Sequence, residues 1–164
     1  MIAQLRIDDR LIHGQVALVW TKELNTPGIV VANDNAANNE TVKMTLKMAT
    51  PTGKKLLIRT VDDAIKVFNN PKGKDMRMFA LTNNVKDALK IARNVEDIDG
   101  INVANVGRFA ENADQSVQLS STLMLDKEEL TALKELVKLS IPVFNQVVPS
   151  NNKTEISSLL KNVE

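Results

Sequence analysis

Short apolar segments that alternate with amphipathic ones along all 164 residues are the feature that most limits how this chain can fold. The apolar runs are rich in β-branched residues and lack polar alternation, which is typical of strands buried on both faces of a sheet. They cover residues 2–7, 28–32, 55–59, 76–81, 100–104 and 141–148. Segments with helical spacing lie at residues 16–24, 42–49, 61–69, 85–94, 126–139 and 156–160. Repeated strand–helix units with short turns predict one α/β domain with a mostly parallel open sheet.

Residues 116–125 fit this alternation less well, and we expect a short edge strand there, either parallel or antiparallel. In open parallel sheets, ligands bind beyond the carboxyl ends of the strands, where loops lead into helices. The loops at that edge are rich in Asn, Asp and Gly, and they cover residues 8–14, 33–39, 82–84 and 105–113. The sequence therefore predicts a polar site at this edge of the sheet.

Composition excludes several classes of site. The chain has no cysteine, which excludes disulfides and thiolate metal sites, and its single histidine excludes multi-histidine metal centres. We therefore expect no metal and no other cofactor. The formal net charge is +1, so no excess of positive charge indicates a nucleic-acid partner. Because the N-terminus lacks a basic leader and no apolar run reaches membrane-spanning length, we expect a cytoplasmic protein.

The most informative segment is residues 6–15, which read R-I-D-D-R-L-I-H-G-Q. It follows the first predicted strand and leads into the first predicted helix, which places His13 at or just before a helix N-terminus. A neutral imidazole is a nucleophile, and its ordinary pKa leaves it mostly neutral near pH 7. The free N–H groups and dipole of a helix start favour an anion, and Gly14 allows the backbone to approach it closely.

Further residues of this loop suit phosphoryl transfer, which depends on positioning and charge neutralisation. The guanidinium of Arg10 can grip phosphate oxygens in a planar, bidentate manner. Asp9 or Asp8 can orient the imidazole or hold Arg10 in place. A simpler interpretation stays open: a lone histidine is often a surface or satisfied buried residue, and the two aspartates can simply form an Asx turn.

The active-site signature of the IIB components of the mannose/fructose/sorbose family of sugar phosphotransferase systems resembles this loop. Four later stretches also resemble that family: V-V-A-N-D-N-A-A-N-N (residues 30–39), L-T-N-N-V-K-D-A-L (81–89), I-N-V-A-N-V-G-R-F (101–109) and V-F-N-Q-V-V-P (143–149). The resemblance covers essentially the whole chain, residues 1–164, as a single IIB domain. It implies an α/β fold with about seven strands and helices on both faces.

The resemblance also implies an activity, that of a protein-Nπ-phosphohistidine–sugar phosphotransferase. His13 would accept a phosphoryl group from a cytosolic IIA component and transfer it to sugar bound in the membrane IIC/IID components. Arg10 would be the phosphate-loop arginine and Asp9 the neighbouring acid, with His13 and Gly14 completing the phosphate site. The resemblance also implies that the chain lies in the cytoplasm, peripherally associated with the membrane permease. IIA is expected as a separate polypeptide.

The sequence departs from the family pattern at one position, and alternatives stay open for the role of Arg108 and for the function. The family pattern has glycine where this chain has Ala104, and Arg108 is either a second phosphate contact, a partner-docking residue or a solvated arginine. The alternative function is a non-enzymatic phosphate- or small-ligand-binding or signalling domain. Neither G-x-G-x-x-G nor G-x-x-x-x-G-K-[ST] occurs in the first loop, which argues against dinucleotide or P-loop binding. The sequence determines neither the sugar nor the oligomeric state, for which a homodimer is the default.

Overall fold

A computed structural model describes residues 1–108 and 115–163. The strands are β1 (Ile2–Asp8), β2 (Gly28–Ala32), β3 (Lys55–Arg59), β4 (Met78–Thr82), β5 (Ile101–Asn105), β6 (Val117–Ser120), β7 (Leu123–Leu125), β8 (Val143–Asn145) and β9 (Thr154–Glu155). The helices are α1 (Gly14–Leu24), α2 (Asp34–Asn38), α3 (Glu40–Ala49), α4 (Val61–Phe68), α5 (Val85–Asn94), α6 (Lys127–Val137) and α7 (Ile156–Leu160), with a 3₁₀ turn at Pro71–Gly73.

Seven strands form one sheet in the order β3-β2-β4-β1-β5-β8-β9. Neighbouring strands are parallel throughout, except that β9 runs antiparallel to β8. The predicted fold class, an α/β domain with a mostly parallel open sheet of about seven strands, is confirmed. Strand β1 lies between β4 and β5, and all of its residues are buried. The loop after β1 therefore starts from one of the most firmly held strands of the sheet.

Helices cover both faces of the sheet, as expected from strands that are apolar on both sides. One apolar layer receives Trp20 of α1, Ala36 of α2 and Leu46 of α3. The other receives side chains of α4, α5, α6 and α7. Within the described residues, no helix combines the length and the apolar character needed to cross a bilayer. Helix α6 begins as predicted, because Asp126 accepts a hydrogen bond from the Glu129 N–H and caps it.

Three segments differ from the sequence-based expectation. Residues 116–125 form no edge strand of the main sheet; β6 and β7 pair with each other as a separate antiparallel hairpin. The predicted loop 33–39 contains the short helix α2, which Asn33 caps by accepting from the Ala36 N–H. The predicted strand 141–148 is shortened to β8, because the backbone from residue 146 onward bonds to side chains instead: Gln146 N–H donates to Asn102, and the Val147 carbonyl accepts from Arg6.

Candidate functional site

The candidate site is built on the turn that follows β1. Asp8 ends the strand, and the Leu11 N–H donates to its carbonyl at 2.9 Å. Leu11 has a φ of +59°, in the left-handed region that non-glycine residues rarely adopt, and its buried side chain packs with that of Ile12 in the apolar layer beneath α1. The hydrogen bond from Leu11 to Asp8 and the packing of the Leu11 side chain hold the turn in place. His13 follows it as the N-cap residue of α1.

The Asp8 carboxylate is the centre of the site. It is fully buried, and its Oδ2 accepts hydrogen bonds from Arg6 Nη2 at 3.0 Å and from Asn105 Nδ2 at 3.1 Å. Its Oδ1 accepts from the backbone N–H of Arg10 at 3.0 Å. A buried carboxylate requires such compensation, and three donors on separate parts of the chain hold this one in a fixed place.

Arg6 supplies the opposite charge from inside the sheet. Its side chain is 1% exposed, donates to the Val147 carbonyl at 3.0 Å and lies 6.0 Å from the centre of the Trp20 ring. The Trp20 indole N–H donates to the same carbonyl at 2.8 Å. Residues 6 and 8 share one face of β1, since side chains alternate along a strand. The ion pair is therefore shielded from water and supported by α1 and by the segment after β8.

His13 and Arg10 lie on either side of the Asp8 carboxylate. His13 Nδ1 is 3.7 Å from Asp8 Oδ2, and Arg10 Nε is 3.8 Å from Asp8 Oδ1. The two side chains are 20% and 30% exposed, so both reach the surface above a buried anion. Neither ring nitrogen of His13 makes a hydrogen bond with residues 1–108 or 115–163, and both nitrogens are shielded from solvent. The Asp8 carboxylate is therefore beside the imidazole without a close hydrogen bond to it.

Burial lowers the pKa of His13 below its ordinary value of 6.5. The nearby Asp8 carboxylate acts in the opposite direction, and the cations Arg10 and Arg6 add to the lowering. Burial acts this way because a charged imidazolium loses hydration when it is partly enclosed. The ring is consequently neutral at pH 7, which is the nucleophilic form.

We predict that the single histidine titrates with a midpoint below pH 6.5 in the folded chain, as measured by NMR of its ring protons. Phosphoryl acceptance then falls as pH decreases through that midpoint, because protonation removes the nucleophilic lone pair. Below pH 6.5 the unfolded chain binds a proton that the folded chain binds less well, so the free energy of unfolding also decreases with acid. A midpoint at or above 6.5 would show that Asp8 outweighs burial.

Asp9, which the resemblance implies as the acid neighbouring Arg10, makes its hydrogen bonds with the chain at the end of β5. Its Oδ2 accepts from the backbone N–H of Arg108 at 2.8 Å, and its own N–H donates to the Asn105 carbonyl at 3.0 Å. Burial raises its pKa above the ordinary value. Asp9 thus ties the turn after β1 to the chain after β5, whereas Asp8 is the carboxylate next to His13. A role for Asp9 in catalysis stays a prediction.

The start of α1 offers N–H groups to an anion. His13 makes no side-chain capping bond there, so within the described residues no side chain caps the first turn. Gly14 has a φ of +46°, is exposed and would have open space around an added Cβ atom. Glycine is thus favoured at this position for its backbone conformation and not for lack of space. The predicted phosphate-site residues Arg10, His13 and Gly14 are brought together.

Arg108, the fourth predicted phosphate contact, is exposed, and its backbone N–H donates to Asp9 in the turn after β1. Its role as a phosphate contact stays a prediction. Residues 109–113 of the predicted loop 105–113 lie outside the described residues.

Arg6 and Asn105 are site residues that the sequence analysis did not identify. One signal was available for Arg6: a charged residue inside an uninterrupted apolar strand must find a buried partner, and Asp8 lies two positions away on the same face. No signal in the sequence connects Asn105 to Asp8, since the contact depends on the pairing of β1 with β5.

A neutral imidazole, a guanidinium and the N–H groups of a helix start lie close together around the turn after β1, and such groups can hold a tetrahedral dianion. The described residues contain no group of three or more His, Asp or Glu side chains that could hold a metal ion.

Comparison with known proteins identifies the relatives of this chain. The model of the phosphotransferase-system sorbose subfamily IIB component matches residues 2–164. A probable phosphotransferase enzyme IIB component from Streptococcus pyogenes is 57% identical over 162 residues, which are 98% of this chain and 99% of that protein. The crystal structure of the IIBSor domain of the sorbose permease from Klebsiella pneumoniae superimposes with a TM-score of 0.90 at 32% identity, covering 100% of this chain and 98% of that one.

A longer relative shows the same domain in a different arrangement. The mannose-specific EIIAB component of Escherichia coli is 33% identical over 164 residues, which are 100% of this chain but 50% of that protein. This chain thus corresponds to one half of a protein whose name joins the IIA and IIB components.

Proposed function

Because the chain belongs to the sorbose subfamily of phosphotransferase-system IIB components, we propose that His13 accepts a phosphoryl group from a IIA component and passes it to a sugar held by membrane IIC and IID components. A neutral, half-buried imidazole at the start of α1, 3.7 Å from a fixed carboxylate, carries the proposal. The resemblance of the loop to the family's active-site signature supports the same residue.

In the first step, a ring nitrogen of His13 attacks the phosphorus of a phosphohistidine on IIA. A new N–P bond forms as the donor's N–P bond breaks, so the donor histidine is released. The ring nitrogens of His13 are shielded from solvent and its side chain is 20% exposed, so the transfer requires the ring to rotate until one nitrogen faces the donor. Arg10 and the N–H groups of α1 offset the charge of the transferred group.

In the second step, a hydroxyl oxygen of the bound sugar attacks the phosphorus of the phosphohistidine. An O–P bond forms as the N–P bond breaks, and the released imidazole takes up the proton that the hydroxyl loses. The Asp8 carboxylate next to the ring stabilises positive charge on the imidazole in both directions. Asp8 itself is not suited to be the acceptor, because its two oxygens are buried and already accept three hydrogen bonds. This argues against the alternative of a signalling domain that forms an acyl phosphate.

We predict that Arg10→Lys slows phosphoryl acceptance about ten-fold or more, because a point charge does not replace a planar fork on phosphate oxygens. Rapid-quench kinetics with phosphorylated IIA measure the rate. Lys22→Arg, on an exposed position of α1, is the matched control for an exchange of cation type and leaves the rate unchanged. Equal rates for the Arg10→Lys variant and the wild type would contradict the proposed role of Arg10 in binding the phosphoryl group.

The complete activity requires the partners. Membranes that contain the IIC and IID components, mixed with phosphorylated IIA and this chain, are expected to form sugar phosphate. The same mixture without this chain is expected to form none. Formation at the same rate without the chain would contradict its role as the intermediate carrier. In this account the chain works at the inner surface of the membrane, held there by the permease.

A further inference from the structure

One flank of the molecule carries two methionines whose side chains are mostly exposed. Met44 and Met48 lie one helical turn apart on α3 and are 65% and 82% exposed, the highest values for large apolar side chains in the described part of the chain. Large apolar side chains grouped on the surface indicate a contact with something outside the molecule.

Cations surround these methionines. Lys43 and Lys47 belong to the same helix, and together with the edge strand β3 they line an open groove of about 310 Å³. Its other lining residues are Leu56, Leu57, Ile58 and Arg59. We refer to the partly or fully exposed residues of this region as the basic flank, which consists of Lys43, Met44, Lys47, Met48, Lys55, Leu57 and Arg59.

The charges of the basic flank are largely uncompensated. Across residues 1–108 and 115–163, Lys47, Lys55 and Arg59 form no ion pair. Lys43 pairs only with Glu40, at 3.4 Å, and that carboxylate is 89% exposed. Since the whole chain has a net charge of only +1, the flank is a local concentration of positive charge.

The acidic residues nearest in sequence to β3 are occupied elsewhere. Asp62 of α4 pairs with Lys90 at 2.6 Å, and Asp63 pairs with Lys66 at 3.6 Å. Helix α4 also packs on the opposite face of the sheet from α3. Asp34 of α2, near the end of β3, accepts a hydrogen bond from the Val61 N–H at 2.9 Å and forms no ion pair with Arg59. Lys47, Lys55 and Arg59 are therefore open to an external anion.

A second copy of this chain is poorly suited to bind the basic flank. β3 is an edge strand, and antiparallel pairing of two copies around Leu57 would place Lys55 opposite Arg59. Like charges directly opposite each other destabilise a strand pair, and lysines on an edge strand are a common device against self-association.

We propose that the basic flank docks on the anionic headgroups of a phospholipid bilayer, with the Met44 and Met48 side chains entering the interface. Cations near an anionic lipid surface and apolar side chains at the headgroup boundary are the two contributions that hold proteins on membranes. The inference rests on the proposed function, because transfer to a sugar in a membrane permease places the domain beside lipid.

The fold lets such docking coexist with phosphoryl transfer. β3 lies three strand spacings from β1, a separation of about 14 Å. Arg59 ends β3 at the same edge of the sheet at which Asp8 ends β1. A molecule resting on its basic flank therefore keeps the turn that holds His13 open to partner proteins.

Co-sedimentation with sucrose-loaded vesicles tests the proposal with the full chain and no permease. We expect binding to vesicles of equal parts phosphatidylcholine and phosphatidylglycerol, no binding to pure phosphatidylcholine vesicles, and loss of binding as salt increases. The double variant Lys47→Gln/Arg59→Gln is expected to weaken partitioning about twenty-five-fold, or about five-fold per cation. Met48→Ser is expected to weaken it about ten-fold.

The matched control is Lys127→Gln/Lys134→Gln, which makes the same change in net charge on exposed positions of α6, on the other face of the sheet. Binding that is no stronger to anionic than to neutral vesicles would overturn the proposal, as would an equal loss in the control. Flank binding to the IIC/IID proteins but not to lipid would also overturn it. Phosphoryl acceptance from IIA in solution does not involve the flank, so its presence or absence tests the proposed function separately.

Discussion

We expect the His13→Ala variant to accept no phosphoryl group from phosphorylated IIA while it retains the wild-type fold. The chain has a single histidine, so no second imidazole can replace it. The fold is expected to survive because the side chain reaches the surface and makes no hydrogen bond with the described residues. Its truncation should change the free energy of unfolding by less than about 1 kcal/mol. Transfer of radiolabelled phosphate and chemical denaturation measure the two properties.

Gln15→Ala is the matched control for this substitution. It truncates an exposed side chain in the first turn of α1, two positions away, and is expected to change neither acceptance nor stability appreciably. If the His13→Ala variant still becomes labelled, His13 is not the residue that accepts the phosphoryl group. An unfolded His13→Ala variant would mean that the imidazole is a structural part of the turn.

We expect Asp8→Asn to have the second largest effect, on stability as well as on transfer. The amide would place a donor against the Arg6 guanidinium and the Asn105 side-chain amide, where the carboxylate oxygen now accepts from both. Arg6 would be left as an uncompensated buried charge, and breaking a buried pair in this way costs about 3–5 kcal/mol. Urea denaturation measures this loss. The pKa of His13 should fall further, because the anion that raises it is removed.

Asp9→Asn provides the comparison, since it makes the same change at the adjacent position. Its carboxylate accepts one hydrogen bond from the Arg108 N–H, and we expect a loss of about 1 kcal/mol. If Asp8→Asn fails to fold, the double variant Arg6→Met/Asp8→Leu removes both charges; it should recover stability but not transfer. Equal losses for Asp8→Asn and Asp9→Asn, or full transfer by the double variant, would contradict the positioning role of Asp8.

The sequence predicted the centre of the sheet well because β1, β2, β4 and β5 are buried along their whole length and their apolar side chains stand out in the sequence. The edge strand β3 was also predicted, from the apolar residues of the run 55–59, although most of its side chains are exposed. Capping residues located helix starts where their chemistry is local, as at Asp126.

Other elements depend on contacts that are distant in sequence. β8 stops at Asn145 because Asn102 and Arg6 take the backbone groups that would continue it. The hairpin of β6 and β7 joins the chain at Val106, whose N–H donates to the Thr122 carbonyl. The secondary-structure propensity of a short stretch of sequence contains no information about pairings with distant residues.

The residues of the candidate site also divide into those whose placement could be predicted from the sequence and those whose placement could not. His13, Arg10 and Gly14 lie in one turn, so their proximity could be predicted from the sequence. The sequence analysis left the choice between Asp8 and Asp9 open, although the alternation of side chains along β1 places Asp8, and not Asp9, on the same face as Arg6. The lowered pKa of His13 arises from burial, which only the packed structure determines.

Peptide mapping of the wild-type chain after incubation with phosphorylated IIA tests the central claim most directly. The account predicts one phosphoryl group per chain, labile to acid, stable to base and located on the peptide that contains His13. A base-labile label on an aspartate, or a chain that stays unlabelled while IIA keeps its phosphate, would contradict it.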